Sequence, residues 1–153
     1  KDSMSGSFED IDVPPTLVSF AVTTGKTGDV VTPEFKKCGS RVVWLLPEYD
    51  SNGLPKANSL IDNYNKVYAL VKEGKVRSAY TPTYGGVAEA IMKMCFGNSI
   101  GFKYNSDVAL KDIFGYSYGS FVLELDNGVE IDAFQSTGGV TENYIFYSIE
   151  LPH

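Results

Sequence analysis

The run Arg41–Leu46 (RVVWLL) constrains the fold more than any other part of this chain. After Arg41 it is continuously apolar, without the apolar–polar alternation of a strand that has one face in water. Such a run reads as a central strand buried on both faces, so the chain must supply cover for both. Two amphipathic segments are available. In the first, Leu60, Ile61, Tyr64, Val67, Tyr68 and Val71 recur at three- and four-residue spacing. Asn58 or Ser59 is placed to cap it, and Gly74 to end it just after Lys72. In the second, Val87, Ala88, Ile91, Met92 and Cys95 form one face that ends at Gly97.

The remaining segments supply strands and turns. Residues 1–15 read as an inter-domain linker, polar and acidic, closed by Pro14-Pro15. Thr16–Thr24 alternates like a strand. Val76–Thr81 and Ile100–Tyr104 read as short strands, and Asp107 can cap a third short helix through Phe114. Gly119–Leu125, an Asp126-Asn127-Gly128 turn and Val129–Phe134 read as a hairpin. Tyr144–Ile149 is the last strand expected. The order predicts an α+β fold with a mixed, largely antiparallel sheet.

Size and charge narrow the function. The 153 residues suit one domain. Thirteen Lys+Arg against nineteen Asp+Glu, a net charge of -6, argue against a nucleic-acid interface. The single histidine is His153, the final residue, so no internal histidine is present as a base or metal ligand. Cys38 and Cys95 match neither a zinc pattern nor a disulfide framework and read as reduced, partly buried thiols. No apolar stretch is long enough to span a membrane. The polar start, without an initiator Met, gives the chain the look of an excised piece.

Few residues are arranged for chemistry. Gly25-Lys26-Thr27 resembles the end of a phosphate loop, but Phe20 stands where that loop needs its first glycine. The stronger candidate is Thr81-Pro82-Thr83-Tyr84-Gly85-Gly86, a strand-to-helix turn. Two threonine hydroxyls, two glycines and the following helix start suit a phosphate or carboxylate; tight strand–helix packing, for which short turns of this kind often carry glycine, is the reading the sequence favours. Glu89 reads as an acid matched to the helix dipole, with cation ligation as the alternative. Asp10, Asp12 and Glu9 read as solvated acids. The aromatic residues read as core or interface, with Tyr104, Tyr116, Tyr118 and Tyr147 as an exposed set suited to another domain. No nucleophile–base pair is visible, so no catalytic residue is assigned.

Several stretches together resemble a known family. They are Lys1-Asp2-Ser3-Met4-Ser5-Gly6, Pro14-Pro15-Thr16-Leu17-Val18-Ser19-Phe20-Ala21, Val31-Thr32-Pro33-Glu34-Phe35-Lys36, Tyr84-Gly85-Gly86-Val87-Ala88-Glu89-Ala90, Gly97-Asn98-Ser99-Ile100-Gly101-Phe102 and Tyr118-Gly119-Ser120-Phe121-Val122. In this order they resemble large-type phosphoribosylformylglycinamidine synthases, specifically a C-terminal-type AIR synthetase-related domain. The start Lys-Asp-Ser-Met-Ser is the most specific element and separates this family from AIR synthetase, selenophosphate synthetase and thiamine-phosphate kinase.

The resemblance implies a three-layer α/β/α domain with partial ferredoxin-like topology over residues 16–153, joined through residues 1–15 to a missing N-terminal-type domain. It implies a cytoplasmic ATP- and glutamine-dependent ligase of purine biosynthesis, with ATP and Mg²⁺ as cofactors of the full-length enzyme and none retained by this piece. Partners would be the other domains of the same polypeptide, including a glutaminase domain, and a small nucleotide substrate. Lys1, Asp2, Ser3, Thr81, Thr83, Gly85 and Gly86 are the positions implied to face nucleotide or substrate. The family's turn carries two aspartates where this chain has Thr81 and Tyr84, and Tyr80 stands in place of a histidine. A threonine brings no charge to a hard cation, so no metal ligand is assigned. These losses also support a second reading, a non-catalytic module that serves assembly. The tail departs too: 129–149 has strand character where many relatives carry a helix.

Overall fold

The structure is a computed structural model that describes residues 2–104, 108–126, 128–129 and 144–150. It is an α+β protein with a two-stranded and a five-stranded sheet. Strands β1 (Asp2–Phe8) and β2 (Ile11–Val18) form an antiparallel hairpin. The larger sheet contains β3 (Arg41–Leu45), β4 (Val76–Tyr80), β5 (Ile100–Lys103), β6 (Phe121–Leu125) and β7 (Tyr144–Glu150). Its order is β4-β6-β3-β7-β5, and every neighbouring pair is antiparallel. The expected mixed sheet is thus antiparallel throughout the described residues. Three helices complete the fold: α1 (Ala57–Lys72), α2 (Gly86–Phe96) and the single turn α3 (Leu110–Ile113).

The β3 run is central, as its composition requires. It pairs with β6 on one side and β7 on the other, and Val42 through Leu45 are buried. Alternation sends its side chains to two separate clusters. Val42 and Trp44 join Val122, Phe35, Ile100 and the α2 residues Val87, Ala90, Ile91 and Met94. Val43 and Leu45 join Leu123, Leu125, Val76 and the α1 residues Leu70, Val67 and Val71. One long helix therefore lies against each face. The buried indole of Trp44 donates to Ser120 Oγ at 3.1 Å.

Both helices are rotated from the expected faces. On α1, Asn63 and Leu70 are buried, while Ile61, Tyr64 and Tyr68 are exposed. The Asn63 side-chain amide donates to the Leu46 carbonyl at 3.0 Å, so a polar residue sits on the buried face with its partner supplied. On α2, Ala90 and Met94 are buried and Met92 is half exposed, so the face is turned from the expected one. Neither Asn58 nor Ser59 caps α1. Lys56 holds the cap position, and Ser59 Oγ instead accepts the Glu48 N–H at 2.8 Å. The expected stop is present. Gly74 has φ +68°, its N–H donates to the Val71 carbonyl, and Lys75 N–H donates to Leu70, the paired bonds of a Schellman ending.

Other expectations are corrected. Residues 2–18 form a hairpin where 1–15 read as linker, and the strand expected at Thr16–Thr24 ends at Val18. Pro14 and Pro15 are tolerated because both strands of a two-stranded sheet are edges and the register shifts opposite them, between Met4 and Gly6. Strand β6 pairs with β3 on one side and β4 on the other; from residue 130 on, the return strand expected at Val129–Phe134 lies outside the described residues. Tyr144–Glu150 is a strand, inserted between β3 and β5. The third helix spans Leu110–Ile113, and Asp107, its expected cap, lies outside the described residues.

Candidate functional site

The Thr81–Gly86 turn leaves the end of edge strand β4 and enters α2. Its first half opens on a cleft of about 260 Å³ lined by Val67, Ala79, Tyr80, Thr81, Thr83 and Phe121. Val67 of α1, Ala79 of β4 and Phe121 of β6 make an apolar bed. Tyr64 supports Phe121 edge-on, with ring centroids 5.4 Å apart. Thr81 and Thr83 are exposed at the rim. The cleft can bind an apolar body with a polar group beside it. Among the residues that line it, Tyr80 carries a titratable group.

The second half of the turn is tied inward. Glu89 Oε2 accepts the Gly85 N–H at 2.8 Å and the Thr83 hydroxyl at 3.3 Å. Lys93 pairs with the other carboxylate oxygen and lies 5.9 Å from the centroid of the Tyr80 ring. These contacts hold the Glu89 carboxyl below its usual range, with Lys93 the largest cause and the Gly85 N–H the next. The same pair, helped by Tyr80, raises the Lys93 ammonium. Glu89 is thus the helix-start acid of the sequence reading, and it takes the Gly85 donor that an external anion would otherwise meet.

Gly86 is fixed for two reasons. It has φ +65°, and a Cβ there would lie 2.7 Å from the Gly115 carbonyl oxygen and 3.1 Å from that of Ile113. The close packing reading of the glycine pair therefore holds at Gly86. At Gly85 an added Cβ would meet Glu89 instead, 2.5 Å from its Cβ.

Thr81, Thr83, Gly85 and Gly86 are one local unit. Asp2 and Ser3 belong to the separate hairpin, opposite Val18 and Leu17. Lys1 lies outside the described residues. Of the tyrosines expected at an interface, Tyr116 and Tyr118 are exposed, stacked at a tilt 5.0 Å apart. Tyr104 is half-buried, and burial pushes its hydroxyl up to about 12; the Tyr147 side chain lies outside the described residues. The Cys38 and Cys95 side chains are both half-buried. Among the described residues no three His, Cys, Asp or Glu side chains converge for a metal ion, and no helix is long and apolar enough to cross a membrane.

One polar residue escaped the sequence reading. Glu124 is fully buried in β6, where Oε2 accepts from Lys36 N–H and from Ser78 Oγ, both at 2.8 Å, and Oε1 accepts from Lys37 N–H at 3.0 Å. Its signal was present: an acid inside FVLEL, a strand otherwise apolar on both faces.

Comparison with known proteins gives a partial match. No family model matches the chain, and no solved structure matches it. The chain is similar to the phosphoribosylformylglycinamidine synthase subunit PurL of Methanococcus aeolicus, 35% identical over 82 residues. That match covers 48% of this chain and 11% of the subunit, so the chain is related at a distance to part of a ligase subunit.

Proposed function

We propose that this chain is a domain of a phosphoribosylformylglycinamidine synthase. That enzyme converts formylglycinamide ribonucleotide to the amidine, using ATP and ammonia drawn from glutamine. The observation that carries the reading is the 35% identity to PurL over 82 residues. The helix on each face of a β4-β6-β3-β7-β5 sheet is compatible with the three-layer, AIR synthetase C-terminal-type arrangement. In this reading the chain works in the cytoplasm and lacks turnover alone, because it supplies one wall of a site that other domains complete.

The role assigned to the chain is one wall of a nucleotide or substrate site. The Thr81 and Thr83 hydroxyls face the ligand, and the Gly85-Gly86 backbone reaches it once the Gly85 N–H is released from Glu89 Oε2. Lys1, Asp2 and Ser3 complete the wall at the junction with a preceding domain. Thr81 and Tyr84 supply no carboxylate, so Mg²⁺ is held by other parts of the enzyme, and no step is assigned to it here. Thr83→Val in the full-length enzyme tests the wall. A raised KM for ATP or for the ribonucleotide supports it. Unchanged kinetics for both support the alternative, a module that serves assembly only. Robust turnover by the 153-residue chain with ATP, ammonia and substrate would refute its dependence on other domains.

A further inference from the structure

A second groove lies where the loop after the hairpin, at Thr24–Val30, meets Tyr68, Val71 and Lys72 in the C-terminal half of α1. Its volume is about 540 Å³, within the usual range for small-molecule sites. The 3-10 turn Thr27–Asp29 holds the loop in place, with Asp29 paired to Lys72 of α1. Val30 and Val71 provide apolar wall, and Tyr68 presents an exposed ring. Lys72 Nζ lies 5.5 Å from the centroid of that ring.

The charge of the groove is opposite to that of the chain. Two lysines, Lys26 and Lys72, face one aspartate, on a protein with net charge -6. Asp29 neutralises Lys72. Among the described residues no carboxylate is paired with Lys26. The groove therefore offers one uncompensated ammonium beside an aromatic face and an aliphatic wall. Gly25-Lys26-Thr27 fails as a phosphate loop, yet its lysine is delivered to a concave surface.

We propose that this groove binds a small organic anion, with its acidic head on Lys26 and a flat body against Tyr68, Val30 and Val71. The head can be a phosphate or a carboxylate, since a lysine recognises either as a point charge. The site is independent of the Thr81–Gly86 turn and of the synthase reading.

Phenyl phosphate and benzoate are the probes, with inorganic phosphate and phenol as the head and body alone. Each is titrated into the 153-residue chain at neutral pH while backbone amide shifts are followed by NMR. Saturable shifts centred on residues 24–30 and 68–72 are expected with at least one of the two probes, and the tighter one identifies the head. Lys26→Gln should weaken that binding by about fivefold or more, equivalent to about 1 kcal/mol. Tyr68→Ala should abolish the advantage of the ring-bearing probe over inorganic phosphate or acetate. Both positions are exposed, so neither variant threatens folding. Shifts spread equally over Lys103 and Lys111, which are exposed and do not line the groove, no saturation by either probe in the millimolar range, or unchanged affinity in Lys26→Gln would each overturn the proposal.

Discussion

The Glu124 carboxylate accepts the backbone N–H of Lys36 at 2.8 Å, across 88 positions of sequence. Lys37 N–H and the Ser78 hydroxyl complete its set, so a fully buried acid fastens the loop before β3 to the β6 and β4 strands. Phe35, the residue before Lys36, is also fully buried and stacked on Phe102 at 5.6 Å. The polar anchor and the apolar plug act on the same loop.

Removing that anchor leaves two amides and a hydroxyl without an acceptor. Glu124→Ala is expected to cost about 3 kcal/mol or more, and Glu124→Gln less, because its amide oxygen still accepts one bond. Urea unfolding of the three proteins checks the order. Equal stability of wild type and Glu124→Ala would remove the carboxylate from the account of this loop.

Two glycines separate backbone strain from steric contact. Gly74 and Gly86 have φ +68° and +65°, but an added Cβ at Gly74 meets nothing within 4 Å while at Gly86 it meets two carbonyl oxygens. Gly74→Ala is expected to cost about 1–2 kcal/mol, the left-handed penalty alone. Gly86→Ala should cost clearly more, since α2 must also shift away from residues 113–115. Thermal unfolding measured side by side tests the difference; equal losses would contradict the close approach.

The Glu89–Lys93–Gly85 latch gives stability a pH window. Glu89 is held below its ordinary value, so its contribution is complete above the usual carboxylate range and is lost as pH falls through the lowered value. Lys93 is raised, so its contribution is complete below the usual ammonium range and is lost as pH rises through the raised value. The stability gap between wild type and Glu89→Gln should be constant near neutrality and close in strong acid. A gap that persists undiminished in acid would assign the effect to packing rather than charge.

Burial sets the tyrosine titration. The hydroxyls of Tyr49 and Tyr104 are pushed up to about 12, chiefly by desolvation. The neutral form is favoured by folding, so this stabilisation is present below about pH 10 and fades as pH rises through about 12. Ultraviolet titration should show two late-ionising tyrosines that Tyr49→Phe and Tyr104→Phe remove one at a time. Loss of neither late step in these variants would contradict the burial.

Local signals in the sequence settled much of this protein. The apolar run at 41–46 required a central strand with cover on both faces, and two helices provide it. Gly74 ended α1 where its position said, because a positive φ and two backbone bonds are decided within a few residues. The Gly85-Gly86 turn was legible for the same reason, as was the helix-start acid Glu89. Tertiary structure decided the rest. The rotation of α1 depended on Asn63 finding the Leu46 carbonyl, a partner that no helical period reveals. The hairpin of residues 2–18 depended on strand pairing across two prolines, and the place of β6 depended on β3 and β4 both reaching it. Glu124 is buried because Lys36, Lys37 and Ser78 converge on it. Short-range backbone preference is written residue by residue, whereas helix phase, strand order and the partner of a buried charge are fixed only when distant segments compete for the same hydrogen bonds and the same apolar surface.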